Sequence, residues 1–267
     1  MKFIKTALTV VVASVSLSAA AQFPFGHTHH TDVEAYEKAK VSSYEAYVIW
    51  DYDEAVDTAV IETAEVDEEG RVTRIHNTQD EDGYIYTYFY DKKGKLTKYT
   101  NLAEENEEED AIITYLVYEK SKLTEAYDVY YEDTTAKILF EYDKNGRLST
   151  KYELNRNYDS KLWEDTLTTT YNYNDKGELL SASEKSNTVG ITVEYNYTYM
   201  PDGKLKSVQI NNYEMGDWDE DGIETPLLMG TTNTTYKYNS KGLVESIEYR
   251  SMPEDEPYIV YYRYSSR

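Results

Sequence analysis

The chain has 267 residues, no cysteine, and a formal charge of −23 from 27 Lys and Arg against 50 Asp and Glu. The missing thiols exclude disulfide staples, thiol catalysis, thiolate metal sites and a lipid-bearing cysteine, so a lipoprotein is not expected. The negative field repels phosphate backbones and excludes nucleic acid as a partner.

Lys2 and Lys5, an apolar stretch from Ala7 to Leu17 and the small residues Ala19 to Ala21 read as a secretory signal peptide over 1–21. The protein is therefore expected to be exported, to the periplasm, the cell surface or beyond. The apolar stretch is short and interrupted by Ser and Thr, and no other segment suits a bilayer helix, so no membrane span is expected. Residues 22–40 are expected to form a loose segment with one short helix, because Thr31 and Glu34 have capping-box spacing before good helix formers.

From 41 to 267 the chain repeats one turn. It reads Tyr90-Asp91-Lys92-Lys93-Gly94-Lys95-Leu96 and then Tyr142-Asp143-Lys144-Asn145-Gly146-Arg147-Leu148. Looser copies span Val66 to Val72, Tyr173 to Leu179, Tyr199 to Leu205 and Tyr238 to Val244, with Gly70, Gly177, Gly203 and Gly242 at the glycine position. A seventh unit, Tyr118 to Leu123, lacks the glycine and predicts a two-residue turn at Lys120-Ser121. Before the turns, aromatic and Thr residues alternate with polar ones, the period of a strand. Three loop residues ending in Gly predict a type I turn closed by a left-handed residue. That register sets Tyr90 opposite Leu96, Tyr142 opposite Leu148, and Asp143 opposite Arg147.

The connections between hairpins differ. One is acidic, through Ala103 to Asp110; one covers Asn155 to Asp165 with Trp163; the longest covers Asn211 to Gly230 with Trp218. The last strand, Tyr258 to Tyr264, has no turn after it and is expected to close or cap the sheet. The fold expected is all-β, tandem antiparallel hairpins in one curled meander sheet, with a closed or coiled barrel-like sheet as the alternative. An outer-membrane barrel is set aside: counted from each turn, Lys98 and Glu125 fall on the tyrosine face, and the reverse faces carry Thr, Asn, Lys and Glu.

The Tyr-Asp-x-x-Gly-Arg-Leu unit at Tyr142 to Leu148 resembles the YD repeats of Rhs and teneurin type. The Tyr-x-Tyr-x-x-x-Gly hairpins with Trp-bearing connections are also similar to uncharacterised secreted repeat proteins of Bacteroidetes. The resemblance covers about 56–250 and implies stacked antiparallel hairpins; it brings no catalytic residue.

Candidate sites are few. Asp217, Asp219 and Asp221 before Gly222 have calcium-loop spacing, but Leu228 stands where an EF-hand needs Glu, leaving Glu224 as a substitute; calcium is the only cofactor suggested and none is required. His27, His29 and His30 cluster near the expected mature start and read as adventitious metal ligands, and His76 as a surface residue. Tyr is strongly over-represented, with 30 against 5 Phe. Tyr86, Tyr88, Tyr171, Tyr195 and Tyr197, with Trp163 and Trp218, are the residues that could stack on sugar rings; recurrence at repeat positions equally fits packing. There is no Ser-His-Asp arrangement and no phosphate loop, and carboxylate pairs occur everywhere in so acidic a chain, so no enzyme is expected. The expected function is binding of a glycan or protein ligand by the sheet face or the Trp-bearing loops. A purely structural or adhesive envelope protein and a glycoside hydrolase are the alternatives.

Overall fold

The computed structural model describes residues 33–52, 55–78, 83–157, 160–186, 190–214, 226–252 and 255–267. One helix, α1 (Val33–Ala39), precedes sixteen strands. They are β1 (Val41–Tyr52), β2 (Ala55–Val66), β3 (Val72–Asn77), β4 (Tyr84–Tyr90), β5 (Leu96–Ala103), β6 (Ile112–Glu119), β7 (Lys122–Tyr130) and β8 (Asp133–Tyr142). The second half comprises β9 (Leu148–Arg156), β10 (Trp163–Tyr173), β11 (Leu179–Ser186), β12 (Ile191–Tyr199), β13 (Leu205–Glu214), β14 (Leu227–Tyr238), β15 (Val244–Arg250) and β16 (Tyr258–Ser266). Each strand pairs antiparallel with the next, and β16 returns to β1, with Tyr44 opposite Tyr264 and Val48 opposite Val260. The antiparallel meander is as expected, and of the two forms expected for it the closed barrel is the one found: the curled sheet does not end in free edges but joins β16 to β1. Strand twist accumulates across the sheet, and joining its ends removes both exposed edges.

The repeat turns form as their residues dictate. Asp91 N–H donates to the Lys95 carbonyl at 2.8 Å, Gly94 N–H to the Asp91 carbonyl at 2.9 Å, and the Asp91 carboxylate accepts from the Lys93 and Lys95 amides. Asp143 repeats this and adds an ion pair to Arg147 at 2.7 Å. The turn glycines Gly70, Gly94, Gly146, Gly177, Gly203 and Gly242 all lie at φ between 77° and 86°, where a Cβ is strained. Lys120 and Ser121 form the two-residue turn with both φ positive, and Tyr131-Glu132 makes another between β7 and β8 without any Gly or Asn to announce it.

The register holds at every repeat: Val66 faces Val72, Tyr90 Leu96, Tyr118 Leu123, Tyr142 Leu148, Tyr173 Leu179, Tyr199 Leu205 and Tyr238 Val244. The next residue is a bulge, which inserts one position into the returning strand. Thr73, Thr97, Thr124 and Ser149 fill it, each hydroxyl donating to a carbonyl of the partner strand. Beyond the bulge the inward residues are therefore three and five places after the branched aliphatic, not two and four. This corrects the placement of Lys98 and Glu125. They sit opposite Phe89 and Leu139 on the outer wall, while Tyr88 and Tyr99 pair inside.

Successive hairpins are locked by the repeat tyrosine. The hydroxyls of Tyr90, Tyr142, Tyr173, Tyr199, Tyr238 and Tyr264 donate to the carbonyls of Val72, Leu123, Leu148, Leu179, Leu205 and Val244 at 2.7–3.0 Å. The basic residue of one turn lies over the tyrosine of the next hairpin: Arg71 on Tyr90, Lys95 on Tyr118, Lys122 on Tyr142, Arg147 on Tyr173 and Lys204 on Tyr238, at 4.2–5.4 Å. Each specified position of the Tyr-Asp-x-x-Gly-Arg-Leu unit thus has a structural task, and the tyrosine and the basic residue reach the neighbouring copy.

All seven repeat turns fall at one end of the barrel, where α1 also sits. Tyr36 of α1 is buried against Tyr44 and Tyr264, with ring centroids 6.1 and 6.0 Å away. The helix passes so close to the β2–β3 turn that a Cβ on Gly70 would meet the Val33 carbonyl and lie 2.7 Å from the Glu37 amide. Gly203, at φ 86°, has nothing within 4 Å of that place. Gly203→Ala is expected to cost about 1–2 kcal/mol, the left-handed penalty alone. Gly70→Ala should cost clearly more, because α1 must also move. Urea unfolding of both variants checks this; equal losses would mean that α1 does not seat on the turn. The opposite end carries the β1–β2, β3–β4, β5–β6, β7–β8, β9–β10, β11–β12, β13–β14 and β15–β16 connections.

Candidate functional site

Aligning the returning strands on their branched aliphatics shows what lines the interior. Three places on stand Ile75, Tyr99, Ala126, Lys151, Ala182, Val208 and Ile247. Six of the seven are apolar or aromatic; the exception is Lys151, a buried residue facing Phe140 on one side and Thr169 on the other. Five places on stand Asn77, Asn101, Asp128, Glu153, Glu184, Ile210 and Tyr249. At this second level the returning strands are polar from β3 to β11 and apolar on β13 and β15, with Thr232 and Thr234 of β14 buried between the last two.

Within the polar sector Lys151 Nζ pairs with Glu153 Oε1 at 2.6 Å, the lysine side chain being only 4% exposed. Thr114 Oγ1 donates to Asp128 Oδ1 at 2.6 Å. Burial raises the Asp128 carboxyl above its usual range; the Thr114 bond opposes this and the Glu153 charge adds to it. Burial likewise raises Glu184, with Lys151 opposing and Glu153 adding. Tyr171 and Tyr195 are raised by burial and then by the charges of Glu184 and Glu153; Tyr99 is raised by burial and also feels Asp128 and Glu153. These side chains occupy one electrostatic neighbourhood. A separate buried carboxyl, Glu62 on β2, accepts from the Tyr44 hydroxyl at 2.9 Å and is pushed up to about 7 by burial, the Tyr44 bond opposing. Tyr88, Tyr249 and Tyr262 all feel its charge.

The strand tyrosines singled out from sequence all point inward. Tyr88, Tyr195 and Tyr197 are buried, and Tyr86 and Tyr171 are partly so. Trp163 is not in a loop: β9 continues to Arg156 and β10 opens on Trp163, which lies on the outer wall under Lys137 at 5.3 Å. Strand pairing extends further toward the loop end than the break in alternation at Asn155 suggests. Trp218, Asp217, Asp219, Asp221 and Glu224, like the 1–21 segment and His27, His29 and His30, lie outside the described residues. Among the described residues no cluster of His, Asp or Glu is arranged to hold a metal ion. His76 is on the outer wall beside Glu104 at 3.1 Å. Asp128, Lys151, Glu153, Glu184 and Glu62 escaped the sequence reading because simple alternation puts the post-turn ones on the wrong face. The one-residue bulge correction, applied to the aligned repeats, would have found them.

No protein-family model and no curated protein matches this sequence. Among solved structures, the chain is similar to a porin-like protein from Bacteroides uniformis, at 14% identity over 85% of this chain and 97% of that one, with a TM-score of 0.50. It is also matched to a porin-like protein from Bacteroides vulgatus, at 13% identity over 73% of this chain and 98% of that one, with a TM-score of 0.28. The first likeness is one of fold, an antiparallel β-architecture across nearly the whole of both chains.

Proposed function

We propose that this protein is an exported, non-enzymatic binding protein of the bacterial envelope that receives a small polar ligand inside its barrel from the loop end. The observation that carries the reading is the Lys151–Glu153 pair. A buried lysine gains little stability from its ion pair against a well-packed apolar residue, and here Lys151 is 4% exposed, its partner Glu153 33%, while other repeats place Ile, Tyr, Ala or Val at the lysine's position. Charges kept at such cost in an otherwise repetitive core mark functional positions. The repeat tyrosines at the turn end are consumed by carbonyl bonds and by packing, so recognition falls to the polar sector nearer the loops. Enclosure of the tyrosine face favours a small molecule or short glycan over a folded protein partner.

The outer wall argues against a lipid-spanning role. Thr170, Asn172, Lys185, Asn196, Gln209 and Lys237 point outward and are exposed across β10 to β14, where a membrane barrel needs a continuous apolar band. Among the described residues no helix is long and apolar enough to cross a membrane, a fact that does not bear on crossing by strands. The leader-like 1–21 segment supports export.

Thermal-shift screening against neutral oligosaccharides, organic acids and amines tests the proposal. One class should raise the melting temperature of the wild type and fail to do so for Lys151→Ala, while Trp163→Ala on the outer wall responds normally. No response to any class, or a response lost in Trp163→Ala and kept in Lys151→Ala, contradicts an interior site.

A further inference from the structure

The polar sector is short of positive charge. Asp128, Glu153 and Glu184 share one partly buried stretch of inner wall with a single buried cation, Lys151, which is engaged by Glu153 at 2.6 Å. Among the described residues no cation forms an ion pair with Asp128 or Glu184. A second, independent sign comes from unsatisfied oxygens. Thr169, 3% exposed, stands between Lys151 and Glu184 in the ladder; its hydroxyl lies close enough to Glu184 and Tyr171 to favour their ionised forms through loose contacts, yet its Oγ1 makes no hydrogen bond of normal geometry. Asn101 Oδ1, an inward amide oxygen on β5, also has no donor. Buried oxygens without donors are uncommon in folded proteins and ask for an occupant that brings N–H or O–H groups.

Spacing narrows the occupant. The three carboxylates stand on β7, β9 and β11, alternate strands that lie about 10 Å apart. A single metal ion cannot touch all three, in keeping with the lack of a metal-holding cluster among the described residues. A flexible chain bearing several ammonium groups can. Tyr99, Tyr171 and Tyr195 line the same region and offer aromatic faces to a desolvated cation. We infer that the interior site takes a linear organic polycation, a polyamine-like chain whose ammonium groups meet Asp128 and Glu184 and whose N–H groups meet Thr169 and Asn101. The inference rests on the reading of the barrel interior as a ligand chamber.

Calorimetric titration of the full protein with spermidine tests it, beside a neutral trisaccharide and magnesium chloride, in about 0.15 M salt where surface attraction is screened beyond ~8 Å. Saturable one-to-one binding of spermidine is expected. Asp128→Asn and Glu184→Gln, both near-isosteric, should each weaken it about tenfold or more, a loss of roughly 1.4 kcal/mol or more. Glu194→Gln, on the exposed outer wall, should leave it unchanged. Melting curves of the variants establish that they are folded, and the two interior substitutions serve as independent replicas. Binding that is equal in all variants, or matched by magnesium, overturns the inference as surface electrostatics. Binding of the trisaccharide in place of spermidine overturns the cation class and leaves the chamber standing. Binding of neither overturns both.

Discussion

Glu62→Gln is expected to stabilise the barrel by about 3 kcal/mol at pH 8 and to leave it nearly unchanged at pH 4. Glu62 is almost wholly enclosed, and burial holds its carboxyl at about 7 against 4.5 for the free side chain, with only the Tyr44 hydroxyl stabilising the ionised form. Between pH 4.5 and 7 the unfolded chain has released this proton and the folded chain still holds it. Stability therefore falls as pH rises through that window, by about 1.4 kcal/mol per unit, and levels off above 7. Glutamine keeps the shape of the protonated acid and an acceptor for Tyr44 without the ionisation. Asp128 and Glu184, also raised chiefly by burial, act in the same direction, so the variant should retain a smaller slope. The turn carboxylates work oppositely. Backbone bonds from Lys95 and Arg147 hold Asp91 and Asp143 below their ordinary range, and the stability they add is lost only as pH falls through that lower, acid region. Urea unfolding of wild type and variant at pH 4, 6 and 8 reads the difference. A gap that does not change with pH would mean that Glu62 is ionised in the fold, paired or wet.

Tyr236→Phe is expected to stabilise the protein, by about 1–2 kcal/mol, where Tyr142→Phe should destabilise it by about 1. Both are interior phenols on strands entering a repeat turn. The Tyr142 hydroxyl donates to the Leu123 carbonyl at 2.7 Å, and its loss leaves that bond unmade. The Tyr236 hydroxyl is fully enclosed beside Tyr197, Tyr238 and Tyr249 and has no hydrogen-bond partner, so the fold bears the desolvation of a polar group without return. Thr234, two places earlier on the same inner face and equally buried, is in the same position, and Thr234→Val should add to the gain. Thermal melts of the three variants decide. Loss of stability in Tyr236→Phe would show that its hydroxyl is bonded in solution. Truncation to alanine separates packing from polarity, since Tyr236→Ala should cost about 3–5 kcal/mol through the cavity alone.

Much of the fold was legible in particular residues. Tyr90-Asp91 to Gly94-Lys95-Leu96 encodes turn type, left-handed glycine and register together, and all of these hold. Lys120-Ser121 was legible from spacing alone. Tyr131-Glu132 was not, because neither residue favours positive φ and the strand pairing on either side imposes it. Closure was open from sequence, since nothing local distinguishes a sheet edge that meets solvent from one that meets its own far end. Here Tyr44, Ala46 and Val48 of β1 find Tyr264, Tyr262 and Val260. The inward charged residues were hidden by the bulge: one inserted residue exchanges the faces of everything after it, so Lys98 moved outward and Lys151 inward.

Everything proposed about the interior depends on the ring of strands being closed. The chain lacks cysteine, so a pair introduced at Tyr47 and Tyr261 reports on closure alone. These residues face each other on the outer side of the β1–β16 seam with ring centroids 5.6 Å apart. Facing residues of an antiparallel pair stand about 4.5–5.5 Å apart at Cα, within disulfide reach. Mild oxidation of the folded Tyr47→Cys, Tyr261→Cys protein should give complete intramolecular cross-linking at any protein concentration. Free thiols, or cross-links that appear only between molecules as concentration rises, would contradict the closed barrel and the ligand chamber built on it.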